Sequence, residues 1–431
     1  VGSRKKEVLM VLSGPRPSQA LSTRMFAALA KETADSPGVT RASFGAGEAF
    51  AHSLAASVAQ ELGLSVTTDI AGNQYMIWPG HDRSAPRVFI GSHMDSVRHG
   101  GNYDGAAGVV AGLAAIADLK AEGFTPAQDI VVMAIRAEEL VWFPTPYCGS
   151  RMAFGLLDPS EYDAVTRSDT GRSLAEHMRD EGCDPDALKA GARPLDPATI
   201  RHFIEVHIEQ GVTLDIQGIA VGVVNGIRGN LRYRHARIRG KYAHAGALAR
   251  EYRHDAVLAG AEFVQVLERK WDALSAQGED FVATVGEFWT DPDMHGMTKV
   301  PGSVEFTMDL RSLSNDVLMQ VDAYLREMAR SIGERRRVVI DIGDYTNAPP
   351  AIIDPALVAS FEQAARKLGI PSLTLPSGAG HDCATFSWQG VSAGMVFIRN
   401  QNGSHNPDEA MQMPDFDKAV QVLSEALREI G

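Results

Sequence analysis

PRVFIGSHMDSVRHGGNYDGAAGVVAGLAAIADLKAEG, residues 86–123, is the stretch on which the fold turns. Its first part, PRVFIGSH (86–93), is a short apolar run closed by a histidine and reads as a buried strand. The second part, DGAAGVVAGLAAIADLKAEG (104–123), is long, apolar and built from small residues, as suits a helix packed closely against a sheet. DIVVMAIRAEE (129–139) follows as another strand, and FIEVHIEQG (203–211) as one more. Strand, helix and strand at this spacing predict an α/β unit with a largely parallel sheet. Ahead of it, the chain alternates helical stretches such as LSTRMFAALAKETAD with polar turns.

After residue 214 the rhythm changes. NLRYRHARIRG, DFVATVGEFW (280–289), SVEFTMDLRS (303–312) and RVVIDIGDY (337–345) read as strands. HDAVLAGAEFVQVLERKWDAL (254–274) and NDVLMQVDAYLREMARSIGER (315–335) read as helices between them. The order β-α-β-β-α-β is that of a ferredoxin-like α+β domain, complete in itself. Helix and strand segments then resume with DPALVASFEQAARKLG, MVFIRN and FDKAVQVLSEALREI. The expected organisation is a discontinuous catalytic domain, residues 1–213 and 346–431, with a smaller domain inserted at 214–345.

The composition of the 431-residue chain, 45% hydrophobic and 22% charged, is that of a soluble globular protein. A formal net charge of -13 argues against nucleic acid or an anionic membrane as partner. RGNLRYRHARIRGK (228–241) is a basic exception, readable as a solvated strand face or as the lining of an anion pocket. The three cysteines, Cys148, Cys183 and Cys383, are far apart and give no disulfide framework. The opening VGSRKKEVLM lacks the pattern of a signal peptide, and no run of about 18 apolar residues suggests a span. A reducing, cytoplasmic location is expected.

Imidazoles and carboxylates collect near the ends of these strands. His93 closes one strand, and Asp95 two residues on is placed to support its other ring nitrogen. Asp104 opens the small-residue helix, Glu138 and Glu139 end a second strand, and His207 ends a third. His405 lies in the turn-like NGSHNPDE. Open α/β sheets bind ligands at the carboxyl ends of their strands, so these groups form a candidate site. Each also has an ordinary reading: a helix N-cap for Asp104, solvated acids for the glutamate pair, hydrogen-bonded strand ends for the histidines. Spacing alone leaves both readings open.

GSHMDSVRHGGNYDGAAGV, the Glu138–Glu139 pair with GSR after it, HIEQG, KYAHAG with RHDA behind it, SGAGHDCATF and SHNPDE occur in an order that resembles a known family. It is the carbamoylase and ureidase branch of the dinuclear-metal amidohydrolases. That branch includes N-carbamoyl-L-amino-acid hydrolase, β-ureidopropionase and allantoate amidohydrolase, and is related to aminoacylase and carboxypeptidase G-type peptidases. HIEQG points to this branch, since the peptidase relatives typically carry an acid where His207 stands.

The resemblance implies a zinc-peptidase-like catalytic domain and an inserted lid and dimerisation domain. It implies two divalent ions per subunit, Zn²⁺ first, with Mn²⁺, Co²⁺ or Ni²⁺ as alternatives. Asp104 would bridge them, His93 and His207 would complete one ligand set, and Glu139 and His405 the other. Glu138 would be the general base. His244 would stabilise the developing oxyanion, reaching the other subunit's site in a homodimer. Arg311 would clamp a substrate carboxylate, with Gln210 and His381 nearby. The implied activity is hydrolysis of a linear C–N bond in an N-carbamoyl or related N-substituted amino acid. An aminoacylase or dipeptidase acting on N-acyl amino acids, and a metal-free binding or assembly module, are the competing readings.

Three departures from the family pattern lie where substrate would be recognised. Leu140, Val141 and Trp142 follow the glutamates in place of a glycine and a small-Arg-Phe segment. Thr298 replaces an asparagine that contacts substrate, and Ala247, Leu248 and Ala249 replace Thr-Thr-Pro after HAG. Trp142 is therefore expected either to face a bulkier or more apolar substrate or simply to pack.

Overall fold

A computed structural model describes residues 16–431; the opening VGSRKKEVLM lies outside the described residues. The chain divides into two compact units. One comprises the residues up to Asn225 together with Ile352–Gly431, and the other Gly226–Ala351. The first unit runs past residue 213 because Val221–Ile227 is a strand paired antiparallel with Ser392–Ile398 in its sheet. It resumes later than residue 346 because Tyr345–Ala348 pairs with Gly229–Arg239 in the other sheet.

Four parallel strands form the centre of the first unit's mixed, nine-stranded sheet, in the order Ile130–Ile135, Arg87–His93, Ile200–Ile208, Ser392–Ile398. Antiparallel strands extend it on both sides: Gln74–Trp78 and Ser65–Thr68 beyond one edge, Val221–Ile227 beyond the other. Ile130–Ile135 is buried at every position. This is why its sequence is continuously apolar rather than alternating: helices cover both faces of a parallel sheet.

The helix Ala106–Ala121 explains the run of small residues. It is buried from Ala106 to Leu119. A Cβ added at Gly108 would lie 2.3 Å from the Val206 carbonyl oxygen, so only glycine lets the helix meet the strand that carries His207. Gly105, at φ +67°, precedes the helix, and a Cβ there would fall 2.3 Å from the His93 ring. Two glycines thus bring helix and imidazoles together.

The second unit has the chain-order topology fourth-first-third-second, with all neighbouring strands antiparallel. The helices Ala256–Ala276 and Asn315–Arg336 bury Phe263, Leu267, Val321 and Leu325 in its core. Two of the expected strands are each split. Residues 280–289 yield Val282–Thr284 and Phe288–Thr290, whose registers against Ser303–Ser312 differ by one residue. Residues 337–345 yield Val339–Asp341 and the start of Tyr345–Ala348, separated by a turn at Gly343, φ +68°. The basic run of Gly229–Arg239 pairs across the sheet, Arg232 with Asp309 and Arg237 with Glu305. Arg232 and Arg237 thus lie on a charge-paired strand face.

Among the described residues, no helix is long and apolar enough to cross a membrane.

Candidate metal centre

The carboxyl ends of the four parallel strands gather the predicted groups of the first unit. His93 ends Arg87–His93, His207 lies one residue before the end of Ile200–Ile208, and Glu138 and Glu139 follow Ile130–Ile135. His405 lies in the loop after Ser392–Ile398 and the short strand Asn400–Gln401, with its backbone in the left-handed region at φ +60°. Asp104 sits between them, immediately before Gly105 and the buried helix.

Asp104 is the hub. Its Oδ1 lies 3.1 Å from His207 Nε2 and 3.7 Å from His93 Nε2, and its Oδ2 lies 3.3 Å from His405 Nε2. His405 Nε2 is also 3.7 Å from Glu139 Oε1. Glu138 Oε2 is 3.9 Å from His93 Nε2. The ligand atoms of His93, Asp104 and His207 lie within 4.8 Å of one another, and so do those of Asp104, Glu139 and His405.

The other ring nitrogens decide what these atoms need. His93 Nδ1 is 3.0 Å from the Asp95 carbonyl oxygen, and His207 Nδ1 is 2.8 Å from the Ile208 carbonyl oxygen. Carbonyls only accept, so both Nδ1 atoms carry the proton, and in the neutral rings both Nε2 lone pairs face Asp104. Asp104 Oδ1 and Glu139 Oε1 are buried with no hydrogen-bond partner. Lone pairs and carboxylate oxygens at these distances repel unless a proton or a metal cation lies between them. Burial opposes charge on His93, yet the Asp95 hydrogen bond and the charges of Glu138, Asp95 and Asp104 outweigh it and hold the imidazole well above its ordinary pKa. Burial, against the pull of His93 and with help from Glu139 and Asp382, pushes the Glu138 carboxyl well above the usual range. That suits a group that accepts and releases a proton.

The turn carrying the glutamate pair is held by two further carboxylates. Asp95 accepts from the backbone N–H groups of Glu138 and Glu139, both at 3.1 Å, and from the Ser43 hydroxyl at 2.6 Å. Its contact with His93 is mainly through its main-chain oxygen; the carboxylate is 3.4 Å away. Glu48, fully buried, accepts from Ala137 N at 2.8 Å, Phe44 N at 2.7 Å and Arg136 Nη1 at 2.9 Å. Ala137 sits at φ +52°, an uncommon conformation for alanine that these bonds stabilise.

Some groups on the centre carry no motif of their own. Ser404 Oγ lies 2.6 Å from both Asp104 Oδ2 and Glu409 Oε2, and Glu409 Oε1 accepts from Tyr103 N and Asp104 N. Arg41 is wholly buried and donates to the carbonyls of Met94 and Asp104. Glu409 stands inside the quoted SHNPDE, whereas nothing in the sequence marks Arg41 or Glu48.

The expected substrate contacts fare differently. Gln210 donates to Asp104 Oδ2 at 2.9 Å, which makes it a neighbour of the imidazole and carboxylate cluster. His381 is buried, bonds the Ser377 hydroxyl at 2.9 Å and packs edge-on against His207 with centroids 4.5 Å apart. Trp142 is 2% exposed, in a cluster with Phe44, Phe143 and Tyr162, and its indole N–H donates to the Ser96 carbonyl at 2.7 Å. It packs and presents no surface to a substrate. Leu140 and Val141 are the exposed members of that segment.

In the second unit, His244 is exposed and lies on a two-stranded ribbon with Lys299–Val300. Gly246 N and Ala247 N both donate to His244 Nδ1 at 3.1 Å. Nδ1 is therefore the acceptor, and in the neutral ring Nε2 carries the proton as an outward donor. Thr298 accepts from Ala245 N through its carbonyl at 2.8 Å. Arg253 bonds the carbonyls of Leu248 and Ala245 and shapes the same loop. Arg311 forms a bidentate pair with Asp309.

A parallel-centred sheet with an imidazole and carboxylate cluster at its carboxyl ends defines an α/β protein built to hold divalent metal. Residues 89–429 match peptidase family M20/M25/M40, and the chain belongs to that family. It is 36% identical over 389 residues to an N-carbamoyl-L-amino acid amidohydrolase of Geobacillus stearothermophilus, covering 90% of this chain and 92% of the relative. It is 32% identical over 372 residues to the allantoate amidohydrolase of Escherichia coli, covering 86% and 87%. A hydantoinase/carbamoylase family amidase from Burkholderia multivorans has a similar structure, with a TM-score of 0.85 at 29% identity over 94% of this chain and 97% of that one.

Proposed function

We propose that the protein is a divalent-metal-dependent amidohydrolase that cleaves the linear C–N bond of an N-carbamoyl or closely related N-substituted amino acid. The observation that carries this reading is the pair of three-residue clusters sharing Asp104, with two buried carboxylate oxygens left without a partner. The named activities of the relatives, N-carbamoyl amino acid and allantoate hydrolysis, supply the bond type.

The residues fit two ions. His93, Asp104 and His207 would hold one, and Asp104, Glu139 and His405 the other, with zinc suited to this mixture of imidazole and carboxylate. Bound there, the ions supply Lewis acidity and a water acidic enough to be deprotonated near neutral pH. Glu138 would take a proton from the attacking water and deliver it to the leaving nitrogen. His244 Nε2–H donates to the oxygen anion developing at the attacked carbonyl. Arg311 holds the substrate carboxylate through its planar fork. We assign His244 to the site of the partner in a homodimer. Its exposure supports this, as do Phe288 and Trp289, 41% and 40% exposed on an edge strand of the second unit's sheet. Three free cysteines suit a reducing, cytoplasmic setting.

Glu138→Gln keeps the ligands and removes the base. It is expected to retain bound metal, measured by elemental analysis, and to lose at least ~10²-fold in kcat. Near-normal turnover in that variant sinks the mechanism. Release of ammonia from N-carbamoyl amino acids, measured beside carboxylic acid release from N-acyl amino acids, separates this reading from an aminoacylase.

A further inference from the structure

We infer that the second unit carries an anion site, separate from the groups assigned above, that takes a small organic molecule bearing two or more phosphate groups. The site is a cavity of about 880 Å³ lined by Arg250, Arg253, Arg269, Arg335, Arg336 and Arg337. In a chain of formal net charge -13, six guanidinium groups around one concavity are a local reversal of sign.

The acids lining the cavity do not cancel this charge. Glu262 pairs with both Arg335 and Arg336, so one carboxylate is shared by two cations. Asp255 accepts from Leu258 N at 3.0 Å as the cap of the helix Ala256–Ala276. Glu251 is the remaining acid. Among the described residues, Arg250, Arg269 and Arg337 have no carboxylate partner, and Arg253 is bonded only to carbonyl oxygens. The end of the helix Asn315–Arg336 accounts for part of the cluster, because basic groups are favoured at a helix C-terminus. It does not account for Arg250, Arg253 or Arg269, which come from another segment and face the same space.

Guanidinium groups bind phosphate oxygens two at a time, and several of them around one ligand favour an anion with several charges. The volume is within the range of small-molecule pockets, roughly 300–1,000 Å³. It exceeds what inorganic phosphate fills. Leu258 and Ala261 add apolar wall for an organic moiety.

The test uses the metal-loaded full-length protein and isothermal titration calorimetry at about 150 mM salt, where weak surface attraction is screened. The probe is adenosine 3′,5′-bisphosphate, whose separated phosphates chelate a metal ion less readily than a linear triphosphate does. Adenosine and inorganic phosphate are the controls. Saturable binding of one bisphosphate per chain is expected, weakened roughly tenfold or more by Arg269→Ser with Arg337→Ser. Both positions are exposed, so the double variant is expected to fold and to keep wild-type hydrolysis. Absence of saturable binding, or equal affinity in the double variant, overturns the site. Inorganic phosphate binding as tightly as the bisphosphate overturns the organic ligand. A change in sedimentation of the double variant without anion binding makes the cluster a subunit contact and also overturns it.

Discussion

Four of the five proposed ligands of the first unit and the proposed substrate-handling residues of the second meet opposite physical conditions; the fifth ligand, His405, is exposed like the latter. His93, Asp104, Glu139 and His207 are buried, and their positions are fixed by sheet ends, glycine contacts and backbone carbonyls. His244 and Thr298 are exposed, and Arg311 is engaged by a neighbouring aspartate. A metal site requires its geometry before anything binds, because buried charges without a partner are costly. Groups that meet a substrate can wait in solvent, held only by a short ribbon or a strand.

The largest effect that would break this contrast comes from mixing subunits. Glu138→Gln and His244→Ala should each be nearly inactive as homodimers. If His244 serves the partner's site, a heterodimer of the two variants has one site with both residues intact. Activity should then reappear on mixing and subunit exchange, up to about a quarter of wild type for random pairing; general-acid and oxyanion contributions of ~10²-fold each leave that signal well above background. No recovery in a demonstrated heterodimer places His244 in its own subunit's chemistry.

Arg311→Lys is the next step down. Lysine keeps the charge and loses the bidentate fork, so KM for a carboxylate-bearing substrate should rise by roughly tenfold or more with kcat little changed. Substrates lacking the carboxylate should not distinguish the two proteins. An equal loss on both substrates would make Arg311 a structural partner of Asp309 alone.

Glu48→Gln tests the other side of the comparison. The amide can accept from Ala137 N or Phe44 N but no longer balances the charge of Arg136. The buried pair is broken on one side, a loss of about 3 kcal/mol in stability. If Glu48 also positions the glutamate turn, kcat should fall several-fold with KM and metal content unchanged. Thermal unfolding and metal-loaded kinetics read the two effects separately. A stability loss with intact kcat would limit Glu48 to packing.

The strand and helix pattern of the first unit was legible because buried parallel strands are apolar without interruption and the packed helix is made of small residues. The residues that the structure gathers into the cluster were legible because they sit where those patterns stop. Glu48 and Arg41 were not, since each lies in a segment of ordinary composition and gains its role only from residues distant in sequence. The split of the expected strands was likewise hidden, because a one-residue change of register against Ser303–Ser312 and a left-handed Gly343 interrupt pairing without changing the apolar rhythm. At Thr298 the sequence marked a change of side chain, while the structure shows its carbonyl holding the His244 loop.

Trp142 carries the smallest prediction and the clearest lesson about the segment after the glutamates. Its novelty in the sequence suggested a new substrate surface, but the indole is buried, with Arg98 over one face at 5.3 Å and its N–H on Ser96. Trp142→Phe should therefore leave the Ser96 carbonyl short of one donor and cost about 1 kcal/mol, with further loss from the smaller ring. Relative kcat/KM values across aliphatic and aromatic substrates should not move. Leu140→Ala with Val141→Ala supplies the contrast, since those side chains are exposed and Trp142 is not. A change in aromatic preference that follows Trp142 would return the indole to the substrate. A change that follows Leu140 and Val141 would show that the segment meets solvent, and any substrate, through its first two residues while the third anchors it.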